Sequence, residues 1–488
     1  MQSTEIDHAQ APPPTSFWTK MSYGIGGIAY GAKDGGFNYF LLIFYSQIIG
    51  LNPFLTSLAI WISLVVDALS DPLVGYWSDN TRSRWGRRHP FMYASIIPIT
   101  CSYFLLWSPP DGWSDQQLFI YLLVLAILIR TFITLFETPS SALAPDLTRD
   151  YDERSQLISY RFLFGWSGGN LMSIIMFFAV FPAFATELIP DGRFNQDAYT
   201  VYGYIASATI FLGITVSSLG THSRVKYLKL APPKRQLGVG RVFKEIYDTL
   251  AERDFVVLFL AALFGAIATG LNAGLTYYFL TYFWGFTSIE IGIVMLGVFG
   301  AAVIGFGLAP VLTRTIGKKN GAMIVGLVAC LGAPLPIVLR LIDVLPPNGT
   351  PFVFWFVLST NVIGVGLTIC FQILTTSMLA DLVEVSELKT GRRSEGVFTA
   401  AMTFVKKAVQ GLGLMAASLV LTLAQFPEGA DIDAVPSEAI WKLGAYFVPV
   451  GLFFWLAMIA IIAAYRNTRE QHENNVQALQ ERSHSIQE

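Results

Sequence analysis

Two carboxylates four residues apart, Asp67 and Asp71, sit in the stretch DALSDPLVGYWSDNTRSRWGRRHP (67–90), directly after the apolar run IWISLVV. On a helix, positions i and i+4 share a face, so the two side chains converge. Adjacent carboxylates raise each other's proton affinity unless a cation lies between them. A hard ion such as sodium prefers oxygen ligands, by the logic that governs other hard cations. The pair is therefore suited to hold Na+ or a proton. The arginines that follow, Arg82, Arg84, Arg87 and Arg88, read as a motif of the inner membrane surface that anchors the helix end and takes part in gating.

Further charges interrupt apolar segments: Lys33 and Asp34, Arg130 and Glu137, Arg161, and the adjacent Lys406 and Lys407. A charged side chain at the centre of a membrane helix costs at least ~2.5 kcal/mol, so such residues face a cavity or one another. For any one of them the bland reading is a structural ion pair between helices. As a group they are expected to line one cavity, with Arg130 seven residues before Glu137 on the same helix face. Catalysis is not expected, because His8, His89, His222, His472 and His484 all lie away from mid-membrane and form no ligand or base cluster. Cys101, Cys330 and Cys370 lack the paired spacing of a disulfide framework or metal site. The run GIGGIAYG follows no strand, so its glycines are read as permitting close helix packing rather than holding a nucleotide. No cofactor is expected beyond an ion at the aspartate pair, Na+ or H+.

The elements that position these charges follow from composition. Of 488 residues, 53% are hydrophobic and 14% charged, and the mean hydropathy is +0.52. About 20 apolar helical residues cross a hydrocarbon layer of about 30 Å. Twelve such spans can be drawn, near 21–49, 54–79, 91–108, 117–143, 157–184, 200–222, 255–284, 289–314, 320–342, 351–382, 397–424 and 439–465. Loops after even-numbered spans hold twenty Lys and Arg residues, and loops after odd-numbered spans hold one, Arg193. Positive residues favour the cytoplasmic side, which places both termini there, in the cell membrane (the inner membrane of a Gram-negative cell). The expected organisation is a cytoplasmic tail (1–20), a six-helix half (21–222), a basic central loop (223–254), a second six-helix half (255–466) and a second tail (467–488). No basic run precedes an apolar one near the start, so no cleaved signal peptide is expected. The net charge of −2 argues against a nucleic-acid partner. The expected partners are a small-molecule solute and the lipid bilayer, with the protein a monomer.

Two halves with basic turns in matching places, TRSRWGRRHP and TRTIGKKNG, resemble the major facilitator architecture, in which the halves rock about a site near the midplane. More specifically, AKD in span 1, the doubled-Asp segment, ETPSSALAPDLTRDYDERSQLISYRF, and ADLVEVSELKTGRRSEG before FVKKAVQ resemble the glycoside–pentoside–hexuronide:cation symporter family. The resemblance implies an all-α membrane protein of twelve transmembrane helices that takes up a sugar, glycoside or uronate with a cation. It implies that Asp67 and Asp71 are the cation-site aspartates and that Thr134 supports them. Ser70 stands where sodium-using members have an asparagine. Lys33 and Asp34 match a Lys-Asp pair at the sugar site, Arg161 its span-5 arginine and Lys406 its span-11 lysine. Glu137 replaces the span-4 aspartate that binds galactoside hydroxyls, and Ser141 the tryptophan that stacks on the sugar. Those two departures argue against a simple galactoside. The surplus of bases, Arg130 included, favours an anionic solute such as a hexuronide, because arginine matches a carboxylate bidentately. The doubled-Asp pattern is also similar to that of animal lysolipid carriers, so an amphiphile is the alternative, with a drug/proton antiporter as another.

Overall fold

The computed structural model describes residues 14–148, 150–225, 253–390, 403, 405–429 and 434–466. Tail residues 1–13 and 467–488 and most of the central loop lie outside this set. The chain divides into two compact units, Met1–Lys234 and Arg235–Glu488. Ten described helices are long and apolar enough to cross a membrane, and Lys407–Leu423 is a shorter apolar helix. The opening helix, Phe17–Gly35, carries Lys20, Lys33 and Asp34 and stands outside the ten. With it, twelve span helices follow one another among the described residues, in the order the sequence predicts, six in each unit. The architecture is all-α.

Helix starts follow local chemistry. Ser16 accepts from the Thr19 amide, so span 1 begins at Phe17, four residues earlier than polarity alone suggests. Asn52 caps Pro53–Asn80 through Oδ1, and Ser114 with Gln117 forms a capping box on Asp115–Ser141. Span 1 runs on past Gly35 through two π-helical stretches, Gly36–Phe40 and Phe44–Ile48. Such wider turns are frequent at functional sites, and the first of them directly follows Lys33 and Asp34.

Glycines decide how closely the helices meet. Lipid tails are as apolar as the side chains, so helices in a membrane associate largely through packing, and small residues allow the closest approach. A Cβ added to Gly31 would lie 1.9 Å from the Gly165 carbonyl oxygen, and one on Gly27 would lie 2.3 Å from the Arg161 carbonyl oxygen. Gly24, Gly27 and Gly31 of GIGGIAYG are thus the seam between spans 1 and 5, while Gly26 faces Ser217 and Phe136. In the second unit the same device recurs, with a Cβ on Gly413 falling 2.2 Å from the Ile267 carbonyl oxygen.

At the basic ends each unit is clamped by ion pairs. Arg87 Nη2 lies 2.8 Å and Arg88 Nη1 3.1 Å from Asp146 Oδ2, and Arg88 also reaches Asp79 at 3.5 Å. Asp146 belongs to a short helix, Ala144–Leu147, beyond span 4. Lys318 and Asp381 form the corresponding clamp in the second unit at 2.7 Å. Glu153 gathers Thr148, Thr15 and Lys20. Burial pushes its carboxyl up, but these donors, Thr148 foremost, outweigh burial and hold it below the usual carboxylate range.

The close seam gives a direct prediction. Gly31→Leu should lower the thermal midpoint of the purified protein by at least several degrees or abolish folding. Gly307→Ala, whose added Cβ meets nothing within 4 Å, should leave the midpoint unchanged. Thermal unfolding followed by tryptophan fluorescence checks both.

Candidate cation and solute site

Span 2 presents Ser63, Asp67 and Asp71 at spacing four, and span 4 presents Arg130 and Thr134 at the same spacing. These two stripes face each other. Thr134 Oγ1 donates to Asp67 Oδ1 at 2.7 Å and lies 3.1 Å from Asp71 Oδ1. A hydroxyl has one proton, yet two carboxylate oxygens converge on it here. That oxygen set favours an added proton or a hard monovalent cation, so the residues fit the ion the sequence implies. Asp67 is 1% exposed, and Asp71 is half-buried. Ser70 donates to the Asp67 backbone carbonyl at 3.0 Å, so its proton serves the helix rather than the carboxylate pair. Among the described residues no group of three or more His, Cys, Asp or Glu could hold a metal ion.

The structure places Arg130 against this pair. Its Nη1 lies 3.5 Å from Asp67 Oδ2, its Nε donates to Ser63 Oγ at 3.0 Å, and its guanidinium sits 4.7 Å from the centre of the Phe37 ring. The sequence puts Arg130 with the solute groups because it shares a helix face with Glu137. The span 2–span 4 packing instead brings it to the nearest buried carboxylate. Ser63 and Phe37 carry no charge, so sequence reasoning passed over them. Ser63, four residues before Asp67, was the available signal.

Lys33, 2% exposed, places Nζ 2.5 Å from Asp34 Oδ1 and 4.6 Å from the centre of the Tyr30 ring. Arg161 donates to Ser140 Oγ at 2.5 Å and to the Glu137 carbonyl oxygen at 3.4 Å, and stacks over Tyr23 at 5.7 Å. It thereby joins span 5 to the turn of span 4 that carries Glu137. Lys406 lies on the π-helical stretch Val405–Val409, and its side chain is outside the described set. Arg82 and Arg84 are exposed, with Arg84 over the Trp85 ring at 5.5 Å. In the second unit a cavity of about 180 Å³ is lined by Asn272, Thr276, Thr360, Asn361 and Thr368 among apolar residues and by no charged side chain. The buried charge described for the site thus lies in the first unit.

Twelve described span helices in two six-helix units, with charges buried in spans of the first, make a multi-pass membrane protein. The comparisons with known proteins agree. Residues 22–469 match the family described as MFS/sugar transport protein, and the chain belongs to that family. It is 26% identical to the uncharacterized symporter sll1374 of Synechocystis sp., over 96% of this chain and 97% of that protein. It is 24% identical to the sodium-dependent lysophosphatidylcholine symporter 1 of Gallus gallus, over 96% of this chain and 89% of that one. A solved bacterial homologue of the human drug peptide transporters PepT1 and PepT2 shares the fold, with a TM-score of 0.62 at 13% identity over 91% of this chain and 97% of that one.

The bridging hydroxyl is the testable element of the pair. Thr134→Val keeps the shape but leaves two carboxylates without their shared donor, and should weaken cation binding at least tenfold. Thr134→Ser should restore binding to within about threefold. Cation-dependent thermal shift of the purified protein reads both.

Proposed function

We propose that the protein is a secondary active transporter that couples entry of a sugar or sugar-like solute to a monovalent cation by alternating access. The observation that carries this reading is the convergence of Asp67 and Asp71 on the Thr134 hydroxyl. The description of the family supports a sugar as solute, and both relatives named above are called symporters. Na+ and H+ each suit the oxygen set. Asp34, Glu137 and Arg161 are the solute groups of the first unit, and Lys406 is that of the second. An acidic sugar such as a hexuronide is favoured, because the described hydrogen bonds of Arg161 go to a hydroxyl and a carbonyl rather than to a carboxylate. Its charge can then meet that of a solute carboxylate. The lysophosphatidylcholine relative supports a second reading, transport of a lysolipid. The protein works as a monomer in the cell membrane, and the distribution of basic residues supports a cytoplasmic position for both termini.

Uptake into proteoliposomes under an imposed inward Na+ or pH gradient tests the reading, with neutral glycosides, hexuronides and lysophosphatidylcholine as solutes. A hexuronide should accumulate above its outside concentration. Accumulation of lysophosphatidylcholine alone would replace the sugar reading, and solute efflux driven by cation entry would replace symport. Charge-assisted hydrogen bonds contribute roughly 1.5–3 kcal/mol each. Arg161→Ala and Lys406→Ala should therefore each weaken apparent solute affinity about tenfold or more.

A further inference from the structure

We propose that Arg130 is a tethered cation that competes with the coupling ion for Asp67 and so sets how tightly, and which, ion binds. The inference rests on the cation-site reading above and adds a residue to it. Asp67 meets Thr134 through Oδ1 and Arg130 through Oδ2. With Arg130 only 3% exposed, solvent does little to screen its charge from an ion at the pair.

The contact has the geometry of a restrained competitor rather than of a closed ion pair. A guanidinium that locks onto a carboxylate does so with two parallel bonds near 2.7–2.9 Å. Here one nitrogen approaches a single oxygen at 3.5 Å, while Nε is held by Ser63 and the plane rests on Phe37. Ser63 and Phe37 keep the positive charge beside Asp67 without letting it take both oxygens. An incoming cation gains the carboxylates but is repelled by the guanidinium, so affinity is reduced from what the two aspartates alone would give. Phe37 belongs to the π-helical Gly36–Phe40 stretch that follows Lys33 and Asp34. A shift of that stretch would change the restraint on Arg130, which gives the solute groups of span 1 a physical route to the ion.

The test is Na+ binding by full-length protein in lipid nanodiscs at one alkaline pH, read as 22Na+ retention and as Na+-dependent thermal shift. Arg130→Gln keeps a donor for Ser63 but removes the charge, and should bind Na+ at least tenfold more tightly than wild type. Arg130→Lys should stay within about threefold of wild type. Ser63→Ala frees the guanidinium to close on Asp67 and should weaken Na+ binding several-fold, a second arm should Arg130→Gln fail to fold. Arg130 as a mere tie between spans 2 and 4 predicts lower stability with Na+ affinity unchanged or weaker in Arg130→Gln, and that result overturns the proposal. Asp67→Asn separates the two levels. If it abolishes Na+ binding while Arg130→Gln has no effect, the cation site stands and Arg130 is excluded. If Asp67→Asn binds Na+ like wild type, the site reading itself fails.

Discussion

A carboxylate buried in a membrane helix must be met by donors or by positive charge, because no bulk water is there to solvate it. The placement of Asp67 therefore constrains everything around it. Span 4 must supply Thr134 and Arg130 on one face, and span 2 must approach closely enough for hydrogen bonds near 3 Å. The Arg130 guanidinium beside Asp67 donates to Ser63 and lies over Phe37. Transport by such a site amounts to exchanging one way of satisfying the carboxylate for another.

The two units use the same mechanical devices and differ in their chemistry. Each has glycines where two spans touch backbone to backbone, Gly31 with Gly165 and Gly270 with Gly413. Each also has a basic residue of the even-to-odd turn clamped to an aspartate, Arg87 to Asp146 just beyond the fourth span and Lys318 to Asp381 in the long helix Pro351–Thr390. The membrane demands these of any six-helix unit: close packing without a hydrophobic drive, and charged ends held at the surface. The site charges described above obey no such demand, and they cluster in the first unit.

Much of this was legible in the sequence, for physical reasons. Ten spans followed from hydropathy, because the bilayer fixes helix length, and the opening helix and Lys407–Leu423 complete the twelve drawn. The aspartate pair was visible because charge is costly there and i, i+4 spacing fixes a common face, and Thr134 was assigned to it through the family resemblance. Arg130 was seen as a buried charge, but its partner was not. Helix-face arguments relate residues on one helix and do not say which neighbouring helix a face meets, so Glu137 drew Arg130 in sequence while Asp67 holds it in space. Ser63 and Phe37 were illegible because a serine and a phenylalanine are ordinary in a membrane helix. The start of span 1 at Phe17 was hidden by the polarity of residues that a serine cap nonetheless brings into the helix.

The central claim is that Asp67 is where solute movement is coupled to an ion, and ion flux evoked by solute tests it most directly. Proteoliposomes with no imposed gradient and a trapped Na+ or pH indicator are given a transported solute, and ion entry is recorded for wild type and for Asp67→Asn. The account predicts that solute drives Na+ or H+ inward in wild type and that the variant moves no ion while still exchanging solute across the membrane. Ion entry of equal size in Asp67→Asn would contradict it.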